Sequence, residues 1–139
     1  MPRLVRLAQK KPGHGKHRLY AEVYDSDTNE RISFGWNHAG RSDLISHYAR
    51  NEKVDGTCAE AAAIIAAISR YRTVVGSTVL VARARRERRG GPVVPGLARP
   101  CEGCVRLLKD FKVGKVFYTT DDPDDVGLMI FHKEKEEKT

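Results

Sequence analysis

Apolar and polar positions along the chain fall into short blocks of two different periods. Residues 2–10 (PRLVRLAQK) place Leu4, Leu7 and Ala8 at helical spacing behind a proline suited to a first turn, which predicts a helix. Lys11-Pro12-Gly13-His14-Gly15 ends it. In residues 18–24 (RLYAEVY), Leu19, Ala21 and Val23 alternate with Tyr20, Glu22 and Tyr24. Turn chemistry at 25–29 and a second run, RISFGW at 31–36, complete a predicted β-hairpin. Residues 37–56 are polar and irregular, with a short helix expected at 43–50. Residues 58–70 (CAEAAAIIAAISR) carry Ala and Ile nearly all round, as a buried helix does. The apolar run at 77–83 (STVLVAR) predicts a central strand. Residues 84–100 read as a long Arg/Gly/Pro loop, 101–111 as a helix, and 113–119 and 126–131 as two more strands. Residues 132–139 form a charged tail.

The order is α-β-β-α-β-α-β-β, which implies helices packed on both faces of one sheet. Only residues 120–125 join the last two strands. A parallel crossover needs about a dozen residues or more, so the last strand is expected to run antiparallel to its neighbour. A length of 139 residues suits a single domain spanning 1–139.

Charge adds a hint about partners. Lys and Arg number 25 against 18 Asp and Glu, a net charge of +7. Two segments concentrate it. Arg3, Arg6, Lys10, Lys11, Lys16 and Arg18 stand at the start with no acid among them. Arg83, Arg85, Arg86, Arg88, Arg89 and Arg99 lie in 83–99 against the single Glu87. Such segments suit phosphates, and they are equally the composition of a solvated surface. No stretch approaches the roughly 20 apolar residues of a membrane span, and no signal-type apolar core follows the basic start. A cytoplasmic protein without membrane contact is expected. Three cysteines cannot all pair, which leaves free thiols or a metal site.

Those cysteines carry the chemistry. Cys58-Ala59-Glu60 opens one predicted helix and Pro100-Cys101-Glu102-Gly103-Cys104 opens the next. Cys101 and Cys104 are three apart and share a helical face. In a first turn the helix dipole favours thiolate, the form that binds metal. Three thiolates occupy three corners of a tetrahedron around zinc and leave the fourth for water, as in catalytic sites. Glu60 follows a ligand by two residues, close enough to move protons for that water. Thr57-Cys58-Ala59-Glu60 also fits a capping box, in which Glu60 would only cap a helix.

The pattern resembles the zinc-dependent cytidine/deoxycytidylate deaminase superfamily, whose signature is His or Cys, then x-Glu, then Pro-Cys-x-x-Cys. The resemblance spans roughly residues 3–131. It implies a three-layer αβα cytidine deaminase-like domain with a mixed sheet of about five strands. It also implies Zn²⁺ held by Cys58, Cys101 and Cys104. Glu60 would take a proton from water and deliver it to the ring nitrogen and the leaving ammonia, while hydroxide attacks the amino-bearing carbon. Substrate contacts are implied at Asn37, where many members have an Asn closing the second strand, and beside the ligands at Ala59 and Pro100. His38, next to Asn37, and Tyr48, an aromatic in a polar segment, join them as candidates. Trp36 and Tyr118 are the other aromatics able to stack on a base, though each is more typical of a core or sheet. Free-nucleoside members usually continue Asn-x-Glu to hold a ribose hydroxyl, whereas this chain has Asn37-His38-Ala39.

That departure and the basic segments favour a phosphate-bearing cytosine substrate, a nucleotide or single-stranded nucleic acid. Arg85, Arg86, Arg88, Arg89 and Arg99 are the candidate phosphate contacts. The antiparallel last strand and the all-cysteine ligand set resemble the cytidine branch and favour cytosine over adenine. Two alternatives stay open: a free cytidine/deoxycytidine deaminase, which is usually an oligomer, and an inactive zinc-containing module that binds nucleic acid. A homo-oligomer is compatible with each.

Overall fold

Nine elements form in the computed structural model, which describes residues 1–10, 18–38, 57–86 and 88–131. Helix α1 (Pro2–Lys10) starts on its proline and buries Leu4, Val5 and Ala8. Strands β1 (Arg18–Tyr24) and β2 (Arg31–Trp36) make the expected antiparallel hairpin. The Asp25 carboxylate holds their turn by accepting from Asp27 N at 2.8 Å and Thr28 N at 3.2 Å. Helix α2 (Ala59–Ser69) leads to β3 (Thr78–Arg86), and β4 (Val93–Gly96) turns back along it. Helix α3 (Glu102–Asp110), β5 (Lys115–Thr119) and β6 (Val126–Ile130) complete the domain.

The strand order is β2-β1-β3-β5-β6, the five strands expected, with β4 paired to the free upper half of β3 as a sixth. Among the described residues only β3 and β5 pair in parallel, and β6 runs antiparallel to β5 as anticipated. One face carries α2 and α3 over Ala21, Val23, Val79, Val81 and Val116. The other carries α1 over Tyr20, Ala82 and Ala84. The three-layer αβα architecture follows.

The expected loop at 84–100 is instead a β-hairpin. Ala82 and Ala84 alternate with Arg83 and Arg85, and this period of two continues β3 to Arg86 with the small residues turned to α1. Val93 and Val94 then pair with Arg86 and Arg85. The helix expected at 43–50, Tyr48, and the tail at 132–139 lie outside the described residues. Among the described residues, no helix is long and apolar enough to cross a membrane.

This topology fixes where chemistry can sit. Strand β1 runs antiparallel to β2 and to β3, so β2, β3 and β5 all point the same way. Helix α2 lies between β2 and β3 in the chain, and α3 between β3 and β5. Both helices cover the same face, so both begin at the carboxyl edge of these strands, where ligands of α/β folds usually bind.

Candidate metal centre and active site

Cys58 and Cys101 are the residues that flank the starts of α2 and α3. Each has extended backbone, with φ −68° and ψ 155° at Cys58 and φ −74° and ψ 171° at Cys101. Their carbonyls accept the first helical bonds, from Ala62 N and Val105 N, both at 2.9 Å. Such positions favour Ser, Thr, Asp or Asn, whose oxygen satisfies a free N–H of the first turn. The Cys58 sulfur makes no such bond, and the Cys101 sulfur is drawn to the N–H groups of Gly103 and Cys104 without a capping bond of normal geometry. Cys104 lies in the first turn of α3, and its sulfur meets the other two: the three Sγ atoms lie within 4.8 Å of one another.

The capping-box alternative does not hold. The cap is Cys58, one residue later than that motif requires, and Thr57 N donates to His38 O at 2.9 Å. The carboxylate of Glu60 is thereby left for the thiol cluster. Glu60 is 3% exposed. Burial pushes its carboxyl up to about 7, its own backbone N–H works in the opposite direction, and the charge on Cys101 adds to the rise.

The thiols divide one negative charge unequally. Hydrogen bonds from Cys104 and Cys58, and then from the N–H groups of Cys104 and Gly103, hold the Cys101 thiol far below its ordinary value. Donating to Cys101 pushes Cys58 and Cys104 upward. All three sulfurs would ionise together only around a compact dication that offsets their mutual repulsion. Tetrahedral zinc, with Zn–S near 2.3 Å, sets its sulfurs roughly 3.8 Å apart. The donor set, the spacing and the two helix starts all fit that ion.

The end of β2 is tied to the same place. His38 N donates to Thr57 O at 3.1 Å, completing a two-way bridge that joins the residue after Asn37 to the residue before Cys58. The Asn37 side chain is buried, and its Oδ1 accepts from Leu19 N at 2.9 Å. His38 is exposed beside it.

No protein-family profile matches the sequence, and neither does any curated protein. Solved structures do. Cyanophage S-TIM5 dCMP deaminase in its apo form superposes with a TM-score of 0.54 at 16% identity, covering 86% of this chain and 81% of that one. A diaminohydroxyphosphoribosylaminopyrimidine deaminase/5-amino-6-(5-phosphoribosylamino)uracil reductase from Thermotoga maritima gives 0.51 at 20% identity over 88% of this chain. The chain has a cytidine deaminase-like fold. It spans 29% of the Thermotoga protein's length.

On this deaminase-like fold the arginines part company. Arg83 and Arg85 share the α2/α3 side with Val81, and their stems lie side by side over Gly96, where an added Cβ would come within 3.0 Å of each Cδ. Arg85 Nε donates to Pro95 O at 3.1 Å and pairs with Asp121 at 3.3 Å. Arg86 lies on the α1 side instead and, with Gln9, Arg18 and Ala84, lines a cleft of about 310 Å³ that Arg85 also reaches. Arg88 and Arg89 are exposed in the β3–β4 turn. Arg99 donates from Nη1 to the Tyr118 hydroxyl at 3.1 Å. The structure thus separates a run that looks continuous in sequence.

The aromatics are similarly sorted. Trp36 donates from Nε1 to Leu7 O at 2.9 Å and packs 4.8 Å from the Tyr20 ring, so it holds α1. Tyr118 lies flat over Gly127, whose missing side chain makes the space. Ala59 and Pro100 are buried next to Cys58 and Cys101. Two residues escape any sequence motif: Arg83, hidden in the charge run, and Thr119. The Ala/Arg alternation is the signal that exposes Arg83. Thr119 carries none, because its role arises only where β3, β4 and β5 meet.

Proposed function

We propose that this chain is a zinc-dependent hydrolytic deaminase that converts cytosine to uracil, with release of ammonia, in a phosphate-bearing nucleotide or single-stranded nucleic acid. The observation that carries the reading is the cluster of Cys58, Cys101 and Cys104 sulfurs within 4.8 Å, with the buried Glu60 carboxyl close enough to feel the charge on Cys101. A zinc ion held by these thiolates would supply a Lewis acid that brings the pKa of a water toward 7. Glu60, placed by the first turn of α2, accepts a proton from the attacking water and delivers protons to the ring nitrogen and the departing amine. Its burial suits this shuttle, because a carboxyl that ionises near neutrality both accepts and returns a proton readily. Asn37, bonded to Leu19 N, and His38, bridged to Thr57 before Cys58, are the residues we assign to orienting the base or sugar. The antiparallel β5–β6 pair supports cytosine as the base.

Ammonia release from cytidine, cytidine monophosphate and cytosine-bearing oligonucleotides tests the reading. Deamination of the phosphorylated members is expected, falling by about 10²- to 10⁴-fold in Glu60→Ala, the usual range for loss of a proton-transfer group. Undiminished turnover in that variant would overturn the mechanism.

A further inference from the structure

The backbone of Arg83 is linked to the segments that lead to both halves of the thiol centre. On one side its register partner is Leu19, whose N–H is bound by the Asn37 side chain. His38 follows Asn37 and is bridged to Thr57, next to Cys58. On the other side Arg83 N donates to Thr119 Oγ1 at 3.0 Å, and Thr119 O accepts from Ala98 N at 2.9 Å, three residues before Cys101. Strand alternation continues the line of Val79 and Val81, so the Arg83 side chain belongs to the face that α2 and α3 cover.

That side chain is incompletely satisfied. Arg83 Nε is buried and has no hydrogen-bond partner. No carboxylate pairs with its guanidinium among the described residues, whereas the adjacent Arg85 has both a carbonyl and Asp121. Buried donors in native proteins are nearly always bonded, so an orphaned one on the strand face that the two ligand-bearing helices cover points to an absent acceptor. A neutral carbonyl would complete the hydrogen bond but leave the charge uncompensated. A phosphate does both, and its oxygens match the guanidinium fork.

We propose that Arg83 receives a phosphate group of the substrate whose base is held at the thiol centre. The inference rests on the deaminase reading and assigns its phosphate specificity to a residue outside the motif. A monoester and a phosphodiester offer the same chemistry, and the experiment separates them.

The test compares zinc-loaded wild type, Arg83→Gln and Arg83→Lys on cytidine, cytidine monophosphate and a short cytosine-bearing oligonucleotide. Steady-state kinetics and equilibrium binding are both read. In Arg83→Gln the ratio of kcat/KM for a phosphorylated substrate to that for cytidine should fall by about tenfold or more, chiefly through KM, as expected for loss of a charged hydrogen-bonded contact. Arg83→Lys keeps the charge without the fork and should show a smaller fall. Whether the monophosphate or the oligonucleotide loses more identifies the ester. Equal losses on all substrates would mean a structural role and overturn the proposal, as would an unchanged ratio. If wild type deaminates none of them, the deaminase reading fails, and binding decides separately. Tighter binding of the monophosphate than of cytidine, abolished in Arg83→Gln, sustains the phosphate contact; equal binding refutes it. If Arg83→Gln does not fold, Arg83→Lys carries the same comparison, and an unchanged ratio there refutes it equally.

Discussion

A cysteine at the start of a helix gives up the capping bond that Ser or Asp would make, a loss of about 1 kcal/mol. Cys58 and Cys101 both occupy such positions, Cys58 without a capping bond and Cys101 with only the weak pull of the Gly103 and Cys104 N–H groups. The arrangement makes sense if the sulfurs serve a ligand instead, and that can be measured. Cys101→Ser is expected to reduce bound zinc well below one per chain, read by elemental analysis after dialysis; full retention would remove the metal site. At this scale the motif was legible because it is local: Cys58, Glu60, Cys101 and Cys104 announce themselves by spacing. Arg83 was not, because charge counting treats neighbouring arginines alike, whereas a strand sends alternate side chains to opposite faces.

Elements tell a similar story. Hairpin β1–β2, helices α2 and α3 and the antiparallel β6 all follow from period and turn chemistry, since those signals are carried by adjacent residues. Strand β4 was hidden because arginine, glycine and proline between 84 and 100 look like loop chemistry, while β3 offers an unpaired edge that only the assembled sheet reveals. The closeness of α2 to the sheet is another tertiary fact. An added Cβ on Gly35 would stand 2.8 Å from the Ala62 Cβ and 2.8 Å from Ala63 N. Ser33 Oγ also reaches across to donate to Ala63 O at 2.7 Å. The depth at which Cys58 and Glu60 sit is therefore set by small residues at this crossing. Gly35→Ala should destabilise the protein by about 1–3 kcal/mol, the usual cost of overpacking. It should also weaken zinc retention, because the displaced backbone belongs to the helix that carries Cys58. Chemical denaturation and metal titration check the two effects; a variant as stable and as metal-tight as wild type would contradict the argument.

Across the whole molecule, the face opposite the thiols is organised around a buried carboxylate. Glu22 is 0% exposed and accepts from Arg3, Arg31, Tyr20 and Tyr24, so α1 is bonded to the sheet through charge as well as packing. Burial alone would raise its carboxyl, but these four donors outweigh that and bring it from 4.5 to about 2. A folded value below the unfolded one means that its stabilising contribution is complete above about pH 5 and disappears as the pH falls toward 2. The single tryptophan, Trp36, packs against α1 and reports the event. Denaturation followed by its fluorescence should show stability falling steeply over that acid range. Arg3→Ala should lower neutral-pH stability by about 1–3 kcal/mol and flatten the acid slope. An unchanged slope would show that Glu22 does not govern it.

The junction at Thr119 has a consequence for how such a domain can diversify. Its hydroxyl accepts from Arg83 N and donates to Gly96 O at 2.7 Å, and its carbonyl fixes Ala98 before the chain reaches Cys101. Residues 88–92 lie beyond this pin. That hairpin tip can lengthen, shorten or exchange its arginines without transmitting the change to the cysteine geometry, so the charge that this edge presents can be rewritten while the thiol cluster stays as it is.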